Sequence, residues 1–355
     1  MLDRLRNAIT SDPWRTAALV LLVALLAVGA VAIAASGDSG DEETPVGTTT
    51  TTPSDSTTVK PGQTSTPEPE EEPSPGSSIG AGVVAIKIDN SRAARPQWGL
   101  SEATLLLEHF VEGPISRFTA VFPSDASGLA GPVRSLRPVD ADLLPVFANS
   151  VVSSGGRPFV VQDVEASGIQ TFLPVVSSMF PSVGNADPFD TFVDLGILAN
   201  ALDAGSGSPP GLPAGELPSP TAAAEELVLP FEGAVVRYDP EQGYLHERAG
   251  EPLLVLDASG SNPSQLSHDT LVVISAAERS AGYTDVNDVP VVTYDVIGGG
   301  DLLVLHAGEV IVGTWRRDSQ ADGFELLDAT GNSFGLPEGI VYLAIVPSGS
   351  QVSYR

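Results

Sequence analysis

"LLLEHFVEGPISRFTAVF", residues 105–122, decides how this chain is read. It opens with an apolar run, breaks at Glu112-Gly113-Pro114, and resumes as "ISRFTAVF" (115–122), where polar and apolar positions alternate. Gly and Pro between two such runs punctuate a hairpin, so the stretch predicts two antiparallel strands. Upstream, "GLSEAT" predicts a short helical turn capped near Ser101, and "VVAIKID" (83–89) a buried strand ended by Asp89-Asn90. Downstream, "PVDADLLPVF" (138–147) predicts a helix, and "SVVSSGG" (150–156) a strand entering a glycine turn. "TFVDLGILANAL" (191–202) has helical apolar spacing. Residues 83–203 therefore read as a mixed α/β domain.

Residues 204–230 are rich in Gly and Pro and read as an interdomain linker. From 231 to 355 the pattern turns to short strands: "GAVVRYD", "PLLVLDA", "TLVVISA", "VPVVTYDVIG", "DLLVLHAG", "VIVGTW", "GFELLDATG" and "GIVYLAIVP". Regular spacing and Gly, Asp and Asn breaks predict a mostly antiparallel β domain, a sandwich or barrel-like body. Gly298-Gly299-Gly300 reads as a hairpin turn rather than a phosphate loop, because no helix or GK[ST] comes after it. The fold class expected for the whole is α+β.

The N-terminal region reads differently. Residues 16–35, "TAALVLLVALLAVGAVAIAA", are uninterruptedly apolar and long enough to cross a bilayer core of ~30 Å as a helix. Arg4, Arg6 and Arg15 precede this run and Asp38, Asp41, Glu42 and Glu43 come after it. The positive-inside rule then predicts a cytoplasmic segment at 1–15, a transmembrane helix at 16–36 and an extracytoplasmic remainder. The competing reading is a cleavable signal peptide ending near Ala32-Ile33-Ala34, which also exports the rest of the chain. Residues 37–82 are Thr, Ser, Pro, Glu and Gly with almost no large apolar side chain, the composition of a disordered stalk.

The formal net charge is −28. That balance argues against nucleic acid and against a surface of anionic lipid headgroups as partners. There is no cysteine, which removes thiol nucleophiles, thiolate metal sites and disulfides. His109, His246, His268 and His306 lack metal-ligand spacing, and no metal or cofactor is expected. "SSGG" (153–156) lacks the glycine of a nucleophile elbow, and "GSNPSQ" and "DVNDVP" lack calcium-loop spacing. Trp315 reads as a core residue.

Against this acidity stands "GPVRSLRP" (131–138), with Arg134 and Arg137 between two prolines. Residues 83–137 carry six basic and five acidic residues, whereas 138–355 carry seven basic and 29 acidic. Guanidinium forks suit bidentate contact with carboxylate or phosphate. Two readings compete. The arginines pair with Glu108, Glu112 and Asp89 and pin loops to the sheet, or Arg134 and Arg137 face a cleft near Gly155-Gly156 and meet an anionic polymer, sugar or peptide.

"AIKIDNSRAARPQWGLSEATLLLEHFVEGPISRFTAVF", "GPVRSLRPVD" and "SGG" resemble the N-terminal domain of the YerB-like family of exported bacterial proteins, a domain of unknown function. "LVLHAGEVIVGTWRR" with "GLPEGIVYLAIVP" resembles that family's C-terminal β domain. Asn90, Arg95, Pro96, Gln97, Gly99, Leu100, Glu108, Glu112, Gly113, Arg117, Arg134, Ser135, Arg137, Gly313, Thr314 and Trp315 match the pattern. Where the family shows a Pro-His-Asn-like stretch this chain has Pro188-Phe189-Asp190, and where it shows His before the glycine pair it has Val152-Ser153. The resemblance implies an exported protein, with a transmembrane helix in place of the family's lipobox cysteine, and carries over no established activity.

The functional expectation is a membrane-anchored extracytoplasmic protein that binds a cell-envelope polymer or a membrane-associated envelope protein. Arg95, Gln97, Arg117, Arg134, Ser135 and Arg137 would form the ligand-binding face. No catalytic signature is present. The alternatives are a cell-wall hydrolase or transferase using Glu108 or Glu112 as acid/base, and a regulator of an envelope synthase.

Overall fold

The hairpin forms as its sequence predicts. Leu105–Glu112 pairs antiparallel with Ile115–Phe122, closing with Glu112 opposite Ile115. Gly113 takes φ +53°, the left-handed conformation that a tight strand reversal asks for and a side chain resists. Nearly every residue of both strands is buried, which is why "LLLEHFVE" does not alternate: both faces of this part of the sheet are covered.

The structure, a computed structural model, describes residues 78–79, 84–183, 186–202 and 209–355. The expected cytoplasmic segment at 1–15, transmembrane helix at 16–36 and nearly all of the stalk at 37–82 lie outside the described residues. Among the described residues no helix is long and apolar enough to cross a membrane. In chain order the main elements are β1 (Val84–Asp89), β2 (Leu105–Glu112), β3 (Ile115–Phe122), α1 (Asp140–Phe147), β4 (Ser150–Val152), α2 (Pro158–Ala166), β5 (Gln170–Phe172) and α3 (Leu195–Ala199). Then come β6 (Ala234–Asp239), β7 (Gly243–Arg248), β8 (Thr270–Ala276), β9 (Glu278–Thr284), β10 (Pro290–Tyr294), β11 (Gly298–His306), β12 (Glu309–Arg317), β13 (Glu325–Asp328), β14 (Ser333–Phe334) and β15 (Val341–Pro347). The architecture is mainly β, with few and short helices among the described residues.

One sheet runs through both halves of the chain, in the order β14-β13-β12-β11-β8-β15-β2-β3-β1-β4-β5. Its decisive member is β15. This strand lies parallel to β8 on one side, Thr270 opposite Val341, and parallel to β2 on the other, Val341 opposite Leu105. The mostly antiparallel pattern holds from β8 through β14, but β15 breaks it on both its edges. Strands from 83–203 and 231–355 thus share one hydrogen-bonded ladder, and both segments fall in one compact unit. The described part of the 204–230 segment is laid on this body: Ala222–Ala223 pairs with β12, and Leu212 is buried.

Strand alternation sorts the core. Ala85, Leu105, Leu107 and Val121 face one side, where they pack with Leu143 and Phe147 of α1, Val160 and Val164 of α2, and Trp315 of β12. Ile86, Ile88, Leu106, Phe118 and Phe122 face the other side, against Leu195 and Leu198 of α3 and Val236 and Tyr244 of the smaller sheet built around β6 and β7. Each buried aliphatic or aromatic side chain contributes roughly 1.5–3 kcal/mol. Gly298-Gly299-Gly300 is strand, not turn: the three pair with Arg317, Arg316 and Trp315 inside the β11–β12 ladder. Gly300 needs its missing side chain there, since a β-carbon would fall within contact distance of the Ser275 carbonyl oxygen and 2.8 Å from Trp315 Nε1. Trp315 is buried and donates its indole N–H to the Ser275 carbonyl at 2.9 Å.

Candidate functional site

The proline-bounded stretch 131–138 is an extended strap across the ends of β1 and β4. Arg134 N donates to the Lys87 carbonyl at 2.8 Å, Ser154 N to the Arg134 carbonyl at 3.0 Å, and Leu136 N to the Gly155 carbonyl at 2.8 Å. With its backbone tied on both sides, the strap sends its arginines toward the turn of the β2–β3 hairpin.

There the side chains form a graded ion network. At its buried end Lys87 Nζ donates to Asp140 Oδ1 and to Thr119 Oγ1, both at 2.6 Å, with lysine and aspartate fully buried. Burial lowers the Lys87 pKa from its ordinary value, and the Asp140 charge works against that fall. Asp140 Oδ2 accepts from the Arg137 backbone N–H at 2.7 Å. Glu112 is then gripped by two guanidinium groups: Arg137 donates through Nε at 2.8 Å and Nη2 at 2.5 Å, and Arg117 through Nη2 at 3.3 Å. Arg117 also donates to the Ser135 carbonyl at 2.8 Å. Burial and the neighbouring Arg137 charge lower the Arg117 pKa to about 10, which still leaves it protonated at neutral pH. Nearest the surface, Arg134 Nε donates to Asp89 Oδ2 at 2.6 Å. Burial pushes the Asp89 pKa up, but hydrogen bonds from Ser91 and the Arg117 and Arg134 charges outweigh it and hold the carboxyl below its usual range.

This network floors an open pocket of about 490 Å³. Four arginines line it, Arg117, Arg134, Arg137 and Arg157, against the three carboxylates of Asp89, Glu112 and Asp285. Two of the arginines are not used up. The Arg134 side chain is 28% exposed and makes no hydrogen bond among the described residues beyond its Nε contact; its guanidinium lies 5.6 Å from the centre of the Phe189 ring. Arg157 is exposed, donates through Nη2 to the Thr284 carbonyl at 2.9 Å, and lies 5.6 Å from the centre of the Tyr283 ring. Aromatic faces hold guanidinium planes in place while leaving their N–H edges open.

The predicted ligand face is only partly brought together. Arg117, Arg134, Ser135 and Arg137 share the pocket. Arg95 does not: it lines a separate depression of about 470 Å³ with Arg92, Glu232 and Arg248, and donates to the Asn90 carbonyl and to Glu232. Gln97 is fully buried and donates to the Asp89 carbonyl and Asn90 Oδ1, so it holds the β1 turn and reaches no ligand. Sequence spacing carries no mark of Arg157, Tyr283 or Asp285, which arrive from the residue just before α2, from the end of β9 and from the β9–β10 loop.

Glu108 sits elsewhere. It is fully buried on β2, and its Oε1 accepts from Asn90 Nδ2 at 2.8 Å and Ser116 Oγ at 2.5 Å. Its Oε2 accepts from Arg248 Nη2 at 2.5 Å and from the Tyr342 hydroxyl. Burial and the Glu108 charge raise the Tyr342 pKa well above its ordinary value, which keeps that hydroxyl protonated and donating. His246 Nε2 and His268 Nδ1 are 3.0 Å apart, and both rings pack against Tyr342. Among the described residues no group of His, Cys, Asp and Glu could hold a metal ion.

Two models of one protein family match the chain. The N-terminal domain of the family described as "Protein of unknown function (DUF3048)" matches residues 69–205, and its C-terminal domain matches 230–343. YerB of Bacillus subtilis strain 168, named as a candidate lipoprotein, is 39% identical over 83 residues, 23% of this chain and 25% of YerB's own length. The chain belongs to the YerB-like family. A crystal structure of the B. subtilis YerB protein superposes with a TM-score of 0.63 at 20% identity, covering 77% of this chain and 93% of the other. That likeness establishes the shared fold.

Proposed function

We propose that this protein binds an anionic ligand of the cell envelope in the pocket under the 131–138 strap. Arg134 and Arg157 make the first contacts, while Arg117, Arg137 and Glu112 set the floor. The observation that carries the reading is the pair of ring-backed guanidinium groups with open N–H edges, in a chain whose net charge is −28. The apolar run at 16–35 and the YerB relative's description as a candidate lipoprotein support an exported protein held at the envelope. An acid/base role gains no such support: Glu108 is spent on four donors out of reach of solvent, and two guanidinium groups hold Glu112. A hydrogen bond to a charged group contributes about 1.5–3 kcal/mol, so the loss of each of Arg134 and Arg157 should weaken binding at least roughly 10-fold, and Arg134→Ala/Arg157→Ala at least roughly 100-fold. The test is co-sedimentation of the full-length protein with cell-wall sacculi, and isothermal titration with inorganic phosphate, for wild type and the double variant. Equal binding by both forms would remove the pocket from consideration.

A further inference from the structure

We infer that the ligand of this pocket is an anionic amphiphile, a phosphate or carboxylate joined to a hydrocarbon chain. The inference rests on the anion-binding reading above and is carried by the apolar rim that surrounds the arginines. Ile115, 41% exposed, and Val286, 94% exposed, line the pocket together with Val291. Phe159, 46% exposed, meets Tyr283 edge-on with ring centres 5.3 Å apart. Val286 occupies the tip of the β9–β10 loop, between Asp285 and Asn287, where a polar residue is the ordinary choice. Large apolar side chains held in water around a charged centre mark a binding surface rather than a folding requirement.

The polar atoms of the pocket say what the apolar part of the ligand is. Asp89 already accepts from Arg134 and from Ser91 N. Asp285 Oδ1 accepts from Asn287 N at 2.8 Å and Val289 N at 2.9 Å. The Thr284 and Ser135 carbonyls are taken by Arg157 and Arg117. A peptide laid here would have to share these occupied acceptors for its backbone N–H groups, and any N–H left unpaired on burial would be costly. A hydrocarbon chain asks for no acceptor. The oxyanion then sits between Arg134 and Arg157, and the chain runs over Ile115 and Val286. The net charge of −28 works against spreading over an anionic bilayer, so the ligand is taken as a single molecule.

The test uses full-length protein in discs of neutral phosphatidylcholine, titrated with inorganic phosphate, ethyl phosphate, butyl phosphate and hexyl phosphate. Affinity should tighten by about twofold to fourfold for each methylene buried along the series. Ile115→Ser/Val286→Ser should flatten that dependence while leaving inorganic phosphate binding unchanged, which also shows that the variant is folded. Arg134→Ala/Arg157→Ala should weaken every probe. Equal, arginine-dependent affinities across the series would overturn the amphiphile and leave the anion site standing. Binding indifferent to the arginine pair would overturn both. If phosphatidic acid placed in the discs competes with hexyl phosphate, the bilayer supplies the ligand; if it does not, the source is a free molecule.

Discussion

Replacing Glu108 by Gln tests whether that carboxylate is architecture. The amide retains one oxygen for Asn90 and Ser116 but turns an NH₂ group toward Arg248 Nη2 and the Tyr342 hydroxyl, setting donors against donors. Arg248 is then a buried cation with no counter-charge at that position. Breaking a buried ion pair from one side costs about 3–5 kcal/mol, a large share of a typical stability of roughly 5–15 kcal/mol. At about 2–4 °C per kcal/mol for a body of this size, the melting temperature should fall by roughly 6–20 °C. Circular dichroism melts of wild type, Glu108→Gln, Arg248→Met and the double variant would measure it. The double variant should be more stable than the sum of the singles predicts, by at least about 1 kcal/mol, because the residual donor clash is relieved. Glu108→Gln melting with wild type would refute the reasoning and return Glu108 to the acid/base alternative.

Acid should destabilise the protein early. Burial lowers the pKa of His109 and of His268 to about 3 and that of His246 well below its ordinary value, the last helped by the neighbouring His268. The unfolded chain takes up these protons below about pH 6.5 and the folded one does not, so stability present above pH 6.5 is lost as pH falls toward 3. The loss is on the order of 1.4 kcal/mol per pH unit for each histidine, and an identical urea midpoint at pH 7.5 and pH 5 would contradict it. Gly300→Ala should cost about 1–3 kcal/mol, because the added carbon meets Ser275 O and Trp315 Nε1 inside a packed ladder; an unchanged melting temperature would argue against that strand placement.

What the sequence disclosed was local. The 105–122 hairpin, the helix at 140–147 and the strands from 270 onward were legible because period, turn chemistry and strand length lie within a few residues. The place of β15 was not, since its partners Leu105 and Thr270 are far away in sequence and nothing in "VYLAIVP" names them. The same distance hid the Glu108 cluster, whose donors Arg248 and Tyr342 lie 140 and 234 residues on. Helix α2 leaves little periodic signal because Val160 and Val164 are its only buried apolar positions and Phe159 faces water. Charge contrast marks the Arg134–Arg137 strap in the sequence. Arg157, alone beyond Gly155-Gly156, reads like any surface arginine until Tyr283 is folded beside it.

The position of β15 has a consequence for how the protein is made. Its residues 341–347 are synthesised after both of its neighbours, yet they fill the slot between β2 and β8. Until 341–347 have emerged, β2 and β8 each carry an open edge of unpaired backbone N–H and C=O groups flanked by apolar side chains. A stalled or clipped product therefore cannot pass for a smaller version of the finished protein. It presents two adhesive borders that proteases and chaperones read as incomplete, and only a chain that includes β15 hides them.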